Sequence, residues 1–253
     1  MKNELNLKTM TNLKLWKHIV FSIIGLVGLI VLNLIISLIL RLYASNVYPN
    51  ATEYKQFLTS STASMILNGA SYLILFVIFI ILSAGDSDEF FKSFKGWKPY
   101  VAALVGFAAI LSFNVMYNSF LSIAGAKISD NANESALNAV VKSFPIASLL
   151  IFGIIGPICE ELTYRVGLFT LLSKVHVALA YVVTIIVFTL IHFDFEAFGT
   201  DAIVNELLNI PFYAFAGTTF CFLYHKFGFA SSVAAHVTNN VFSLLATIAS
   251  NLR

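Results

Sequence analysis

Apolar positions fall into long runs separated by short polar stretches. Seven of these runs are long enough to cross about 30 Å of hydrocarbon. They cover approximately residues 18–40, 63–84, 100–124, 147–172, 175–193, 207–225 and 228–249. The pattern predicts an all-α fold, a polytopic membrane helix bundle of about seven transmembrane helices. The first run, VFSIIGLVGLIVLNLIISLIL, follows Lys14 and Lys17 but is too long for the apolar core of a signal peptide and lacks a clear A-x-A site, so it reads as a retained helix. No internal repeat or low-complexity tract divides the chain, and residues 1–253 read as a single integral membrane domain.

Composition narrows the class. The chain is 58% hydrophobic and 11% charged, with a mean hydropathy of +0.86, where soluble domains carry roughly 25% charged residues. A lipid bilayer is therefore its medium. The net charge of +2, without a basic run interleaved with aromatics, speaks against a nucleic-acid partner. The two cysteines, Cys159 and Cys221, lie in apolar stretches and read as small core residues.

Charge also orients the bundle. With the N-terminus cytoplasmic, the inner segments hold nine bases: Lys2, Lys8, Lys14, Lys17, Lys92, Lys95, Lys98, Lys174 and Lys226. The outer segments hold five: Arg41, Lys55, Lys127, Lys142 and Arg253. The stretch DFEAFGTDAIVNE, residues 194–206, carries four acids and no base and falls outside in this scheme. Asn133-Glu134-Ser135 matches a glycosylation acceptor, a pattern too common to weigh.

Against this apolar background, ionisable groups inside spans cost about 2.5–3.5 kcal/mol each at a helix centre and mark functional positions. They occur in CEELTYR (residues 159–165), at His192 closing FTLIH, and in HVTNN from His236 to Asn240; Asn114 with Asn118 is a weaker case. Helix rise brings them to one depth. Glu160 lies roughly 21 Å above Lys174 and His192 roughly 27 Å, while His236 and Asn240 lie roughly 15 and 21 Å above Lys226. A shared layer is what a shared site requires.

Spacing divides the labour. Glu161 and Arg165 are four apart, so they share a helix face and can pair, and a buried arginine needs such a partner. Glu160 is rotated by about 100° from that face, with Tyr164 one turn away, which leaves it available as a general base. Pro157, with Gly153 and Gly156 before it, predicts a bend beside the acids that admits water. His236 and Asn240 are again four apart and can donate to one developing oxyanion, while a carboxylate with a histidine suits activation of water. The constellation points to hydrolysis of an acyl bond.

At these residues the chain resembles the CPBP intramembrane proteases, a family that includes CaaX-type prenyl proteases and bacterial bacteriocin-processing and immunity proteins. The motifs are E-E-x-x-x-R, F-x-x-x-H and H-x-x-x-N, here Glu160-Glu161 to Arg165, Phe188 to His192, and His236 to Asn240. They occur in order on successive spans and place the catalytic core at about residues 145–245. The resemblance implies a glutamate-dependent intramembrane endopeptidase acting on a membrane-associated or lipid-embedded peptide or protein, such as a bacteriocin or pheromone precursor. By analogy Glu160 and His192 activate water, His236 and Asn240 stabilise the tetrahedral intermediate, and Glu161 and Arg165 support the site. No cofactor is implied. A zinc-dependent version is the alternative within the family, although no H-E-x-x-H is present. The Lys/Asn/Ile-rich composition points to a bacterial cell membrane.

Two other classes use the same residues differently. A non-proteolytic binding or immunity protein would keep the polar groups as interhelical hydrogen bonds. A transporter would use the carboxylates as a proton relay, but the chain has no repeated halves. Asn114 and Asn118 read as packing, His18, His176 and His225 as interfacial, and Phe188 as packing beneath His192.

Overall fold

The computed structural model describes residues 12–126, 132–195 and 199–251. Lys2, Lys8, Lys127 and Arg253 of the charge count, with Glu196 of the acidic stretch, lie outside the described residues, and so does the side chain of Asn133. Among the described residues there are nine helices and no strand. They are α1 (Leu15–Val47), α2 (Ala51–Leu58), α3 (Ser61–Ser93), α4 (Lys98–Ile123), α5 (Ala132–Ser143), α6 (Pro145–Ser173), α7 (Val177–Leu190), α8 (Thr200–Phe227) and α9 (Phe229–Asn251).

Five of them, α1, α3, α4, α6 and α8, are long and apolar enough to cross a membrane. The chain is a multi-pass membrane protein. The two other expected spans are helices as well, but α7 has only 14 residues, and α9 carries His236, Asn239 and Asn240 among its apolar residues. Length and composition thus mark five crossings among the described residues and leave the count of seven unconfirmed. A second difference concerns residues 200–206, which lie before the expected span at 207–225 but form the first turns of α8, with Glu206 buried and accepting from the Asp194 amide at 3.1 Å.

The helices assemble around α6. Of its most apolar window 56% is buried, against 17–33% for the other four spans, so α6 is the axis and the others wrap it. The first turns of α1 pack along residues 162–169 of α6. That approach depends on small residues: a Cβ at Gly25 would collide with the Thr163 side chain, and one at Gly167 would lie 2.7 Å from the Ser22 amide nitrogen. In lipid, where apolar surface gains little by leaving the solvent, such close contact is what holds helices together. Lys17 pairs with Asp86 and donates to the Leu82 carbonyl at 3.0 Å, so the start of α1 and the end of α3 lie at one end of the bundle. The outer face of α1, with Ile30, Leu34 and Leu38, is exposed and apolar, as a lipid-facing surface is.

Candidate active site

Helix α6 is irregular where it carries the acids. It winds as π-helix over Ile151–Ile155, returns to α over Gly156–Glu161, and winds as π-helix again over Leu162–Phe169. Such turns are rare and concentrate at functional sites. The first has a local cause. The Gly156 amide bonds to the Ile151 carbonyl rather than to Phe152, and Pro157 has no amide hydrogen to offer. The Phe152 carbonyl is thereby released from the helix ladder, and Asn240 donates to it from α9 at 3.2 Å. Asn239 donates to Asn240 Oδ1 at 3.4 Å, so the Asn240 carboxamide is held at both ends.

The two adjacent glutamates have different surroundings. Glu161 and Arg165 are both fully buried and form an ion pair, with Arg165 Nη1 3.0 Å from Glu161 Oε1. The nitrogen approaches off its N–H axis, so the contact is ionic rather than hydrogen-bonded. The guanidinium sits 4.7 Å from the Phe188 ring centre and 5.3 Å from that of Phe220, and donates to the Gly217 carbonyl at 3.4 Å. Glu161 also accepts from Ser232 at 2.5 Å and from His236 Nδ1 at 2.9 Å. Its oxygens are fully engaged, which is what a buried carboxylate needs.

Glu160 faces a cavity instead. Tyr72 of α3 donates to its Oε1 at 2.9 Å, and His236 Nε2 lies 3.7 Å from its Oε2. That gap is too long for a direct hydrogen bond and suits a bridging water. Because Glu161 is the ion-paired acceptor, His236 Nδ1 carries a proton, and its ring stacks on Phe220 with centroids 4.4 Å apart. The cavity beside Glu160 has a volume of about 170 Å³, is also lined by His192 and Asn240, and has room for several waters. A second cavity of about 180 Å³ adjoins it through His192, Asn240 and Phe152 and reaches His236.

His192 sits in the turn after α7. Its Nδ1 donates to the Phe188 carbonyl at 2.8 Å, and its ring stacks on Tyr213 at 4.4 Å. With the proton on Nδ1, a neutral ring has its lone pair on Nε2. Glu160, His192, His236 and Asn240 are thus brought to two adjoining cavities, with Glu161 and Arg165 behind them. Phe188 packs against His192, with ring centres 4.9 Å apart, and lies under the guanidinium as well.

Residues 142–242 match a family model described as type II CAAX prenyl endopeptidase Rce1-like. The likeness to the CPBP intramembrane proteases holds over that segment. The chain is also 24% identical over 183 residues to the UPF0177 protein YvdC of Lactococcus lactis subsp. lactis (strain IL1403). That match covers 71% of this chain and 66% of the relative, just under two thirds of its length. No solved structure matches. The matched segment contains all three motifs, from Glu160 in α6 to Asn240 in α9.

Several site residues lie outside the motifs. Tyr72 belongs to a polar stripe, Ser64, Asn68 and Tyr72, spaced by four on an apolar helix, and all three line the Glu160 cavity. Ser232 lies one turn before His236 and is legible by the same rule. Asn114 and Asn118, read as packing, line a cavity of about 470 Å³. His18 and His225, read as interfacial, are buried: the His18 ring donates to the Val166 carbonyl at 2.6 Å, and His225 Nδ1 lies 3.0 Å from the Tyr181 hydroxyl. A helix end wrapped by neighbouring helices leaves no interface for those rings to occupy. His176 caps α7 by accepting from the Ala178 amide at 3.2 Å. Cys159 and Cys221 are both buried free thiols with no disulfide. Among the described residues, no group of three or more His, Cys, Asp or Glu side chains is assembled to hold a metal ion.

Proposed function

We propose that this chain is a CAAX-type intramembrane endopeptidase of glutamate type that hydrolyses a peptide bond in a membrane-associated peptide or protein. The observation that carries this reading is the division between neighbours. Glu161 is fully engaged by Arg165, Ser232 and His236, whereas Glu160 opens on a cavity beside His236, His192 and Asn240. Within residues 145–245, Glu160 takes a proton from water, assisted by His192 through its Nε2. The water oxygen attacks the substrate carbonyl carbon. Asn240, whose second amide hydrogen remains after the Phe152 contact, and His236, when its Nε2 is protonated, donate to the oxyanion. Glu161 and the oxyanion between them balance the imidazolium and the guanidinium, and Glu160 returns the proton to the leaving amine.

The same reading puts the chain in a bacterial cell membrane, on its Lys/Asn/Ile-rich composition, with its N-terminus cytoplasmic, on the charge bias of its segments. The steps proposed use this chain's own side chains, and the zinc alternative is decided by the chelator below. The test is cleavage of a quenched fluorescent membrane-peptide library by the purified chain, with Glu160→Gln and Glu161→Gln beside it and a strong chelator in parallel. Activity abolished in folded Glu160→Gln and indifferent to the chelator is expected. Chelator-sensitive cleavage would favour the zinc alternative, and a folded native chain that cleaves nothing would favour the binding or immunity role.

A further inference from the structure

The cavities of the candidate active site do not end at the two histidines. The second cavity, which reaches His236, shares Tyr213, Asn239 and Glu134 with a larger one of about 470 Å³ between α4, α8 and α9, a size typical of ligand sites. Four carboxamides meet there. Asn114 and Asn118 stand one turn apart on α4, Asn209 comes from α8 and Asn239 from α9. Asn239 also donates to Asn240, which ties this groove to the candidate active site. Asn114 Oδ1 is buried without a hydrogen-bond partner among the described residues. Such an atom is costly inside a membrane protein unless something is meant to meet it.

The chemistry of the lining selects the occupant. No Lys or Arg is among the described residues that line it, which disfavours the anionic headgroup of a lipid. Carboxamides are neutral and offer both donors and acceptors, as peptide groups do. A membrane helix keeps every backbone group bonded within itself, so its peptide bonds are closed to attack until some are pulled out of the ladder. Each amide pulled out then needs a hydrogen-bond partner, and a carboxamide already in place offers one without immobilising a water.

We propose that the groove of Asn114, Asn118, Asn209 and Asn239 binds a stretch of substrate backbone that has left its helix, next to the bond that is cut. This deepens the peptidase reading and rests on it for the occupant being a peptide. The substrate class is therefore a membrane peptide with a helix-weakening segment near its scissile bond, rather than an uninterrupted apolar helix.

The test uses full-length Glu160→Gln protein in lipid nanodiscs, so that binding is read without cleavage. The probe is a dye-labelled Leu/Ala peptide of about 20 residues, long enough to span, with a central Gly-Ser-Gly-Ser break. Its twins are the same peptide N-methylated through the break, and an unbroken Leu/Ala peptide. Fluorescence anisotropy should show the broken peptide binding about tenfold more tightly than either twin, since one or two backbone hydrogen bonds are worth that factor. Asn114→Leu in the same background should abolish that preference without lowering the unfolding temperature, because it deletes an acceptor that has no partner. Asn118→Leu, at an exposed position, should weaken it too and carries the test if the first variant fails to fold. Equal binding of all three peptides, no binding of any, or a preference untouched by both substitutions would overturn the proposal. An Asn114-dependent preference in a chain whose native form cleaves nothing would keep the groove and remove the peptidase. Cleavage without any such preference would do the reverse.

Discussion

Tyr72 donates a hydrogen bond of 2.9 Å to Glu160 from a helix 88 residues away in sequence. It thereby fixes one carboxylate oxygen and leaves the other toward His236. Tyr72→Phe keeps the ring, which packs edge-on to Phe152 at 6.3 Å, and removes only the hydroxyl. A lost hydrogen bond to a charged group corresponds to roughly 10–100-fold in rate. Membrane-peptide cleavage should fall by that factor in kcat, while thermal unfolding stays near that of the native chain.

Glu161 and Glu160 should fail in opposite ways. Glu161→Gln leaves the Arg165 charge buried without its counter-ion and should cost about 3–5 kcal/mol of stability. Glu160→Gln should unfold close to the native temperature yet lose at least about a thousandfold in kcat. Replacing Glu161 and Arg165 together by leucine should restore folding, since an apolar pair tolerates burial. It should not restore activity, because His236 Nδ1 then has no acceptor at 2.9 Å. Detergent-solubilised melting curves beside turnover rates would separate the three cases.

Pro157 bears on Asn240 although the two never bond. Giving position 157 an amide hydrogen, as in Pro157→Ala, supplies the Phe152 carbonyl with a helical partner that competes with Asn240. The substituted helix should be no less stable, since alanine is the better helix former. Asn240, the proposed oxyanion donor, should be misplaced, with kcat down about tenfold and KM little changed. A variant with native kcat would show that the released carbonyl does not position Asn240.

The α1–α6 contact makes a separate prediction about folding. Gly25→Ala drives a methyl group into Thr163 and should destabilise the bundle by about 1–3 kcal/mol. Adding Thr163→Gly opens that space and should recover most of the loss. Melting of the single and double variants decides it, and additive losses would mean that the two positions do not meet.

Much of this arrangement was legible in the chain. Apolar run lengths gave the membrane helices, because hydrocarbon thickness and helix rise leave little choice. The four-residue spacing of Glu161 and Arg165 determined their pairing, and it turned Glu160 to a different face, since residues on one helix are related by fixed geometry. The same rule marks Ser64, Asn68 and Tyr72 as one stripe and Ser232 as a neighbour of His236. Spacing cannot say which stripe meets which acid. That depends on the rotation and depth of separate helices, which in lipid are set by close contacts such as Gly25 against Thr163. Only the tertiary structure decided that Tyr72 reaches Glu160, that His236 stands between two carboxylates, and that Asn240 is held by a carbonyl that Pro157 leaves unpaired.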